Sequence, residues 1–176
     1  EQGVLGSRYY TGQPLYPLAQ TVAVINMDAL NVLGRTRDVT VVGMGQSNLD
    51  DLAERIVGVR GRTLRPDPEP DKGFYYRSDH FEFAKVGIPA FNPDGGVEFL
   101  DKEEDWGLDM RERYTDEDYH KVSDEVKDFW DLAGAVDDLK LFFEMGHELA
   151  NGQEWPEWSE SSEFRAVREL SRAPVQ

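Results

Sequence analysis

Short apolar runs alternate with amphipathic segments along the first half of the chain. The runs that predict buried strands of a parallel sheet are Thr21–Asp28, Val39–Met44 and Ile88–Phe91. The predicted helices are Leu5–Thr11, a helix from Asn48 to Val59 and a short helix that ends at Gly87. Strands that alternate with helices are typical of layered α/β domains. We therefore expect a three-layer α/β fold in which helices flank a mixed, mostly parallel sheet.

Two segments in the middle of the chain lack the periodicity of regular structure. The prolines of Arg65–Gly73 predict an irregular connection, because proline interrupts helices and central strands. The segment Asp94–Asp128 is predicted to be a long loop with helical pieces. Residues 101–128 within it hold 12 acidic and 5 basic side chains. Loops of this length inside a compact domain are usually lids or other functional segments.

The clearest helix is predicted at Asp131–Ala150, where one apolar stripe recurs at helical spacing. The stripe consists of Leu132, Ala135, Val136, Leu139, Phe142, Phe143, Gly146 and Leu149. A last polar helix is predicted after the segment 155–158. We expect residues 1–150 to form one unit and residues 151–176 a C-terminal tail with a short helix.

Composition narrows the classes of function. The chain has 176 residues, enough for one domain, and 39% of them are hydrophobic, which predicts a packed core. A net charge of −16 argues against binding to nucleic acid or to anionic membrane surfaces. No apolar run approaches the roughly 20 residues that span a bilayer. Because cysteine is absent, thiolate metal sites and thiol nucleophiles are excluded within these residues.

The chain opens at Glu1-Gln2-Gly3, with neither an initiator methionine nor a signal-peptide pattern. We interpret it as a fragment or a processed product, truncated at its N-terminus. Any targeting signal would then precede Glu1, so the compartment cannot be read from these residues.

Few residues are suited to catalysis or metal binding. Of the three histidines, His147 falls on the polar face of the long helix and is predicted to be a solvated surface residue. His80 and His120 lie where a loop meets a helix or a long loop ends, positions that can face a cleft. Asp28 ends an apolar run, and ligands gather beyond the carboxyl ends of strands in open α/β sheets. Asp28 is therefore either a metal ligand or a turn former.

Four short blocks follow one another along residues 1–150. They are Glu1-Gln2-Gly3-Val4-Leu5-Gly6-Ser7, then Ile25-Asn26-Met27-Asp28, then Ser78-Asp79-His80 with Phe83 and Gly87-Ile88-Pro89-Ala90, and finally Tyr119-His120 followed by Ser123-Asp124. Each block is weak alone, but the ordered set resembles the C-terminal half of the catalytic domain of peptidase family M28, the di-zinc aminopeptidases. The resemblance implies a zinc-peptidase-like fold and a parent enzyme that removes N-terminal residues from peptides or proteins.

The resemblance also implies roles for single residues. Glu1 and His120 match the ligands of one of two zinc ions per complete active site, and Asp28 matches a ligand of the other. Asp28 would also help to bind the free α-amino group of the substrate. Tyr119 matches a tyrosine whose hydroxyl donates to the developing oxyanion. Carboxylates and imidazoles are ligands that suit zinc in a protein without cysteine.

The third block is predicted to line the active site. Tyr76 and Arg77 are candidate substrate-binding residues. Ser78, Asp79 and His80 are candidates for a layer of residues that supports the metal ligands. Although Ser-Asp-His looks like a ligand cluster, we favour a role for His80 in orienting the loop over a role as a zinc ligand. Ser78 or Asp79 is expected to cap the following helix, as Ser47 is expected to cap the helix that begins near Asn48.

The family pattern includes residues that would precede Glu1: a glutamate that acts as general base, a His-x-Asp ligand pair and a bridging aspartate. We therefore expect the 176-residue chain to be inactive alone. Two alternatives remain open, a glutaminyl cyclase of the same fold and a non-catalytic binding module that resembles the peptidases. Because relatives are commonly exported, we expect a periplasmic or extracellular parent enzyme.

Overall fold

The structure is a computed structural model that describes residues 3–172 of the chain. Helices α1 to α6 span Leu5–Gly12, Leu49–Val59, His80–Lys85, Trp106–Glu117, Ala133–Asn151 and Arg165–Arg172. Strands β1 to β5 span Val24–Ile25, Asp38–Val41, Thr63–Pro66, Ala90–Phe91 and Pro93–Asp94. Short 3₁₀ helices occupy Leu18–Gln20, Pro70–Lys72 and Phe74–Tyr76.

The strands form two small sheets. β1 pairs with β4 in parallel, and β2 lies between β3, which runs parallel to it, and β5, which runs antiparallel. The sheets meet where the Val42 amide donates to the Asn92 carbonyl oxygen at 2.9 Å. The α/β class and the mixed, mostly parallel pairing predicted from sequence are both confirmed.

Two hydrophobic clusters lie on opposite sides of β4. Phe91 belongs to the larger cluster with side chains of β2, α2 and α5, whereas Ala90 belongs to a smaller one with Trp158 and Phe164. Successive side chains of a strand point to opposite faces. The sheet is therefore covered on both faces, as expected for a layered α/β fold.

Helix α5 buries a different face from the predicted one. Its buried residues are Gly134, Ala135, Asp138, Leu141, Phe142 and Met145. Val136, Leu139 and Phe143, three members of the predicted stripe, are 48%, 42% and 72% exposed. The reason is electrostatic: Asp138 enters the core because Arg62 lies 2.7 Å from its carboxylate. The predicted stripe shares Ala135 and Phe142 with the buried face but omits Asp138, Leu141 and Met145.

The Pro-rich connection and the acidic segment are more regular than predicted. Residues Thr63–Pro66 form β3, and Pro66 is tolerated because β3 is an edge strand. Within the acidic segment, residues Trp106–Glu117 form α4, with Gly107 as its one buried residue. Its attachment by Arg111 is ionic, so an apolar periodicity does not mark it.

The first predicted strand is shorter than its apolar run. Only Val24–Ile25 pairs in a sheet, and both residues are half-buried. The other predicted boundaries agree within a few residues for α1, α2, β2, β4 and α5. In the part of the chain that the structure describes, no helix is both long and apolar enough to cross a membrane.

Candidate active site

Two asparagines lie where the parallel strands β1 and β4 end. Asn26 follows β1 and Asn92 follows β4, so both side chains lie at the carboxyl edge of this sheet. The Asn26 amide donates to the Asn92 side-chain oxygen at 2.8 Å, and both residues are buried. The pair joins the two strand ends beneath the predicted site.

The asparagine pair continues to Asp28 through Ser78. The Asn26 amide donates to the Ser78 hydroxyl oxygen at 2.8 Å, and Ser78 Oγ lies 2.7 Å from Asp28 Oδ2. Since the hydroxyl has one proton and accepts from Asn26, that proton points to the carboxylate. Asp28 is exposed, so this bond orients its carboxylate while leaving it accessible to a ligand.

Ser78 and Asp79 do not cap helix α3, contrary to prediction. The residue before the helix, Asp79, makes no side-chain capping bond. Ser78 donates instead to Asp28, and the Ser7 hydroxyl of α1 lies 2.5 Å from Asp79 Oδ1. The two polar side chains thus connect the start of α3 to β1 and α1. Similarly, Asn48 is the N-cap residue of α2, although the Ser47 hydroxyl accepts from the Leu49 amide at 3.4 Å.

His80 is buried immediately below this layer. It is 0% exposed, and neither ring nitrogen has a hydrogen-bond partner within residues 3–172. Burial lowers the pKa of His80 to about 4, although Asp28 and Asp79 oppose the shift. The imidazole is therefore uncharged at neutral pH. Its ring packs edge-on against Tyr75, with centroids 4.8 Å apart.

Phe74 connects the substrate-binding candidates to the end of the acidic segment. The Arg77 guanidinium lies 5.9 Å from the centre of the Phe74 ring, and Arg111 lies 5.6 Å from it. Tyr119 packs edge-on against the same ring, with centroids 6.1 Å apart. The predicted site residues Arg77 and Tyr119 therefore share one aromatic neighbour.

Arg111 fixes α4 to the body of the domain. Its guanidinium lies 2.6 Å from Asp94 Oδ2 and 2.8 Å from Glu69 Oε2, with Asp67 at 3.7 Å. These carboxylates come from β5 and from the connection after β3. Because Arg111 also faces Phe74, the same side chain that anchors α4 borders the Tyr119 region.

His120 has an unusual backbone conformation. Its φ of 57° lies in the left-handed region, which is uncommon for residues other than glycine. Its ring stacks on that of Tyr119, with centroids 4.0 Å apart and planes inclined by 24°. Strained backbone conformations cluster at functional sites. This conformation sets the direction in which the exposed imidazole projects.

The structure thus brings the predicted residues into two groups. Ser78 contacts Asp28, while Arg77, Tyr119 and His120 surround or extend from Phe74. Tyr76 is exposed and packs against Phe81. Glu1 lies outside the described residues. Within residues 3–172, no group of three or more histidine, aspartate or glutamate side chains is placed to hold a metal.

His147 is exposed on α5, as predicted, where it stacks on Phe143. Sequence reasoning missed Asn92, Phe74 and Arg111 of the site region, and it assigned no role to Asn26, although Asn26 belongs to the second block. The asparagines carried a usable signal, since each directly follows a short apolar run that ends at the same sheet edge. Arg111 carried none, because it is one of several charges in an acidic segment.

Comparison with known proteins gives one match. A family model described as peptidase family M28 matches residues 1–143 of the 176-residue chain. No curated protein and no solved structure matches the chain.

Proposed function

Because the chain belongs to peptidase family M28, we propose that it forms part of a zinc-dependent aminopeptidase, which removes single residues from the N-termini of peptides or proteins. The observation that carries this proposal is the Asp28 carboxylate, which Ser78 orients beyond the end of β1. Membership of the family supports a peptidase activity. The restriction to N-termini rests on a carboxylate that can bind an ammonium group.

The side chains of Asp28 and His120 are of types that bind zinc. Asp28 offers a carboxylate and His120 an imidazole, both exposed, and zinc binds such oxygen and nitrogen ligands. The described residues do not complete a coordination shell by themselves. We propose that Asp28 binds one zinc ion, and that His120 and Glu1 bind the other. Bound zinc would polarise the scissile carbonyl and acidify a water molecule.

The protein side chains would bind and orient the substrate. The Asp28 carboxylate accepts a hydrogen bond from the α-amino group of the peptide. The uncharged Ser78 hydroxyl orients this carboxylate without neutralising its charge. Tyr76 and Arg77 are exposed beside Ser78 and form the wall that the first residue of the peptide contacts. A free amino group is therefore the feature by which the site selects a peptide end.

Tyr119 is proposed to stabilise the transition state. Its ring is fixed on one side by Phe74 and on the other by His120. A hydroxyl group held in a fixed position stabilises developing negative charge without the cost of reorienting during the reaction. Tyr119 would donate its proton in a hydrogen bond to the carbonyl oxygen of the scissile peptide.

We further propose that the 176-residue polypeptide is inactive when it is made alone. It supplies Asp28, His120 and Glu1 as matched ligands, and its other histidines do not add to them. His80 is fully buried, and His147 lies on α5 stacked against Phe143. The general base and the remaining ligands of the family pattern would have to come from residues other than these.

The test compares two exposed histidines. Amino-acid anilide hydrolysis is measured for the full-length gene product and for its His120→Gln and His147→Gln variants, with zinc content determined for each. We expect His120→Gln to lower kcat/KM at least about a hundredfold and to reduce bound zinc, whereas His147→Gln leaves both unchanged. Wild-type activity in His120→Gln would overturn the assignment.

The isolated 176-residue polypeptide provides the second arm of the same experiment. No zinc-dependent hydrolysis above background is expected from it. If the full-length product instead converts N-terminal glutamine to its cyclic form and leaves anilides intact, the site is that of a glutaminyl cyclase. Failure to bind zinc at all would favour a binding module.

A further inference from the structure

We propose that residues 155–172 form an element that positions the substrate wall of the candidate active site, and that Phe164 is the positioning residue, which acts through Tyr75. The expected change in KM rests on the proposed function, whereas the expected change in hydrogen exchange does not. The segment lies beyond residue 143, where the match to the family ends. The family match therefore assigns no role to this element.

Backbone hydrogen bonds attach the segment to the loop before α2. The Asn48 amide donates to the Glu157 carbonyl at 3.1 Å, and the Ser159 amide donates to the Gln46 carbonyl at 2.8 Å. The Asn48 side chain also accepts from the Glu157 amide at 2.8 Å. Asn48 thus fixes the segment from both its backbone and its side chain.

A second attachment lies at Gly87. The Trp158 indole nitrogen donates to the Gly87 carbonyl at 2.8 Å, and Trp158 is 2% exposed. A Cβ atom on Gly87 would lie 2.6 Å from the Arg168 backbone nitrogen, so only glycine permits this approach of α6. Buried Arg168 donates to the carbonyls of Leu18 and Thr21. These contacts place the segment firmly against the domain.

Phe164 connects the C-terminal segment to Tyr75, which lies next to the proposed substrate-binding residues. It is 6% exposed and packs on Trp158 at 5.1 Å between ring centroids. On its other side it stacks on Tyr75 at 6.3 Å and meets Phe81 edge-on at 6.1 Å. The segment therefore supplies one wall of the pocket that holds Tyr75.

Tyr75 has little freedom to move in other directions. A Cβ atom on Gly43 would lie 2.2 Å from the Tyr75 ring, so the ring already fills the space beside Gly43. Its other faces meet His80 at 4.8 Å and Tyr76 at 5.4 Å. Removing Phe164 would open the one side of Tyr75 that the C-terminal segment closes.

The position of Tyr75 matters because of its neighbours in sequence. Tyr76 and Arg77 are the proposed substrate wall, and Ser78 orients the Asp28 carboxylate. A shift of Tyr75 would move all three without removing any group that contacts the reacting atoms. Misplacement of binding groups by about 1 Å can cost up to a hundredfold in rate.

Hydrogen exchange and kinetics test the proposal in the full-length gene product. In Phe164→Ala we expect the amides of residues 74–79 to exchange about tenfold faster or more, while those of β2 and α5 keep wild-type rates. We expect KM for peptide substrates to rise about tenfold with kcat within a factor of two to three, because binding is affected more than chemistry. Phe164→Leu, which retains most of the volume, should restore both values in part.

Phe143→Ala is the matched control. Phe143 is an exposed phenylalanine on α5, outside residues 155–172, and its ring stacks on His147 with centroids 6.2 Å apart. This variant should leave exchange at residues 74–79 and KM unchanged.

Unchanged exchange at residues 74–79 in Phe164→Ala would overturn the proposal whether or not the protein is an aminopeptidase. A uniform increase in exchange across the protein would also overturn it, since that would show a general loss of stability. If exchange changes as expected but no aminopeptidase activity exists, the positioning stands and the proposed function fails.

Discussion

Two polar clusters lie at the sheets, and they balance their charges in different ways. The arginine cluster consists of Asp38, Arg62, Arg65 and Asp138. In it Arg65 Nε lies 3.0 Å from Asp38 Oδ2, and Arg62 lies 2.7 Å from Asp138. Asp38 also accepts from the backbone amides of Val97 and Glu98, in the connection after β5. Each buried carboxylate thus faces a cation.

The asparagine cluster, which consists of Asn26, Asn92, Ser78 and Asp28, orients its carboxylate with uncharged groups. The Asp28 carboxylate accepts from a serine hydroxyl, which in turn accepts from an amide. This arrangement fixes direction without supplying a compensating charge. Internal ion pairs are a feature of structural clusters, whereas an oriented and accessible carboxylate is suited to bind a cation or an ammonium group.

The largest effect on stability is expected in the arginine cluster. Arg62→Leu removes the cation beside Asp138 and two donations, to the Asp38 carbonyl and to Thr36. Breaking a buried ion pair from one side costs about 3–5 kcal/mol, because an uncompensated charge remains in the core. Urea unfolding at pH 7 measures the loss.

The double variant Arg62→Leu/Asp138→Leu is the control. With both charges removed, most of the lost free energy of unfolding should return. Burial already raises the pKa of Asp138 to about 6 even with Arg62 beside it. The destabilisation of Arg62→Leu relative to wild type should therefore be smaller at pH 5 than at pH 7. A single variant as stable as wild type would show that the cluster is not an energetic unit.

The next effect is a pH dependence that distinguishes the buried histidine from an exposed one. The folded-state pKa of His80 is about 4, below its value of 6.5 in the unfolded chain. Between these values the unfolded state binds more protons, so this contribution to stability is present above pH 6.5 and is lost as the pH falls. The loss between pH 7 and 4.5 is roughly 2–3 kcal/mol.

His80→Phe removes this contribution and retains an aromatic ring beside Tyr75. Its free energy of unfolding should fall less between pH 7 and 4.5 than that of wild type. His147→Gln, at an exposed position, should show the wild-type dependence. Parallel pH curves for wild type and His80→Phe would mean that the buried imidazole takes up its proton at the ordinary pKa.

The sequence predicts the fold better than it predicts which polar residues enter the core. Apolar runs identify β4, and in β2 the face formed by Val39 and Val41, because buried strands favour apolar side chains. The other face of β2 carries the buried polar side chains of Asp38 and Thr40. The buried face of α5 was predicted only in part: Ala135 and Phe142 lie on it, but Asp138 was omitted. The burial of Asp138 depends on Arg62 from a distant part of the chain. Such pairing is invisible to local periodicity.

Local rules also misassigned two candidate site residues. Ser78 and Asp79 precede a helix, where serine and aspartate usually cap. Instead, Ser78 bonds to Asp28, in the loop after β1, and Asp79 bonds to Ser7 of α1. Their partners Asp28 and Ser7 are far away in sequence. The resemblance to a family marked this block as important, but only the fold shows which contacts it makes.

A smaller effect on stability, and the sharpest test of the asparagine cluster, is expected from Ser78→Ala. It removes the exposed hydrogen bond to Asp28 and the one that Ser78 accepts from Asn26, but it leaves Asn26 bonded to Asn92, so stability should fall by about 1–2 kcal/mol. If the hydroxyl orients a functional carboxylate, kcat/KM of the full-length gene product should nevertheless fall about tenfold to a hundredfold.

Ser7→Ala is its counterpart, because it removes the other serine–carboxylate bond of the region, that to Asp79. It should cost about 1 kcal/mol of stability, since its hydroxyl donation is lost, whereas Ser78→Ala also removes an acceptor of the Asn26 amide. Its activity should stay within a few-fold of wild type, because Asp79 is not proposed to contact substrate or metal. Equal losses of activity in the two variants would remove the distinction between the oriented carboxylate of Asp28 and an ordinary polar contact. A large loss in Ser78→Ala alone would establish that orientation without charge compensation serves the chemistry.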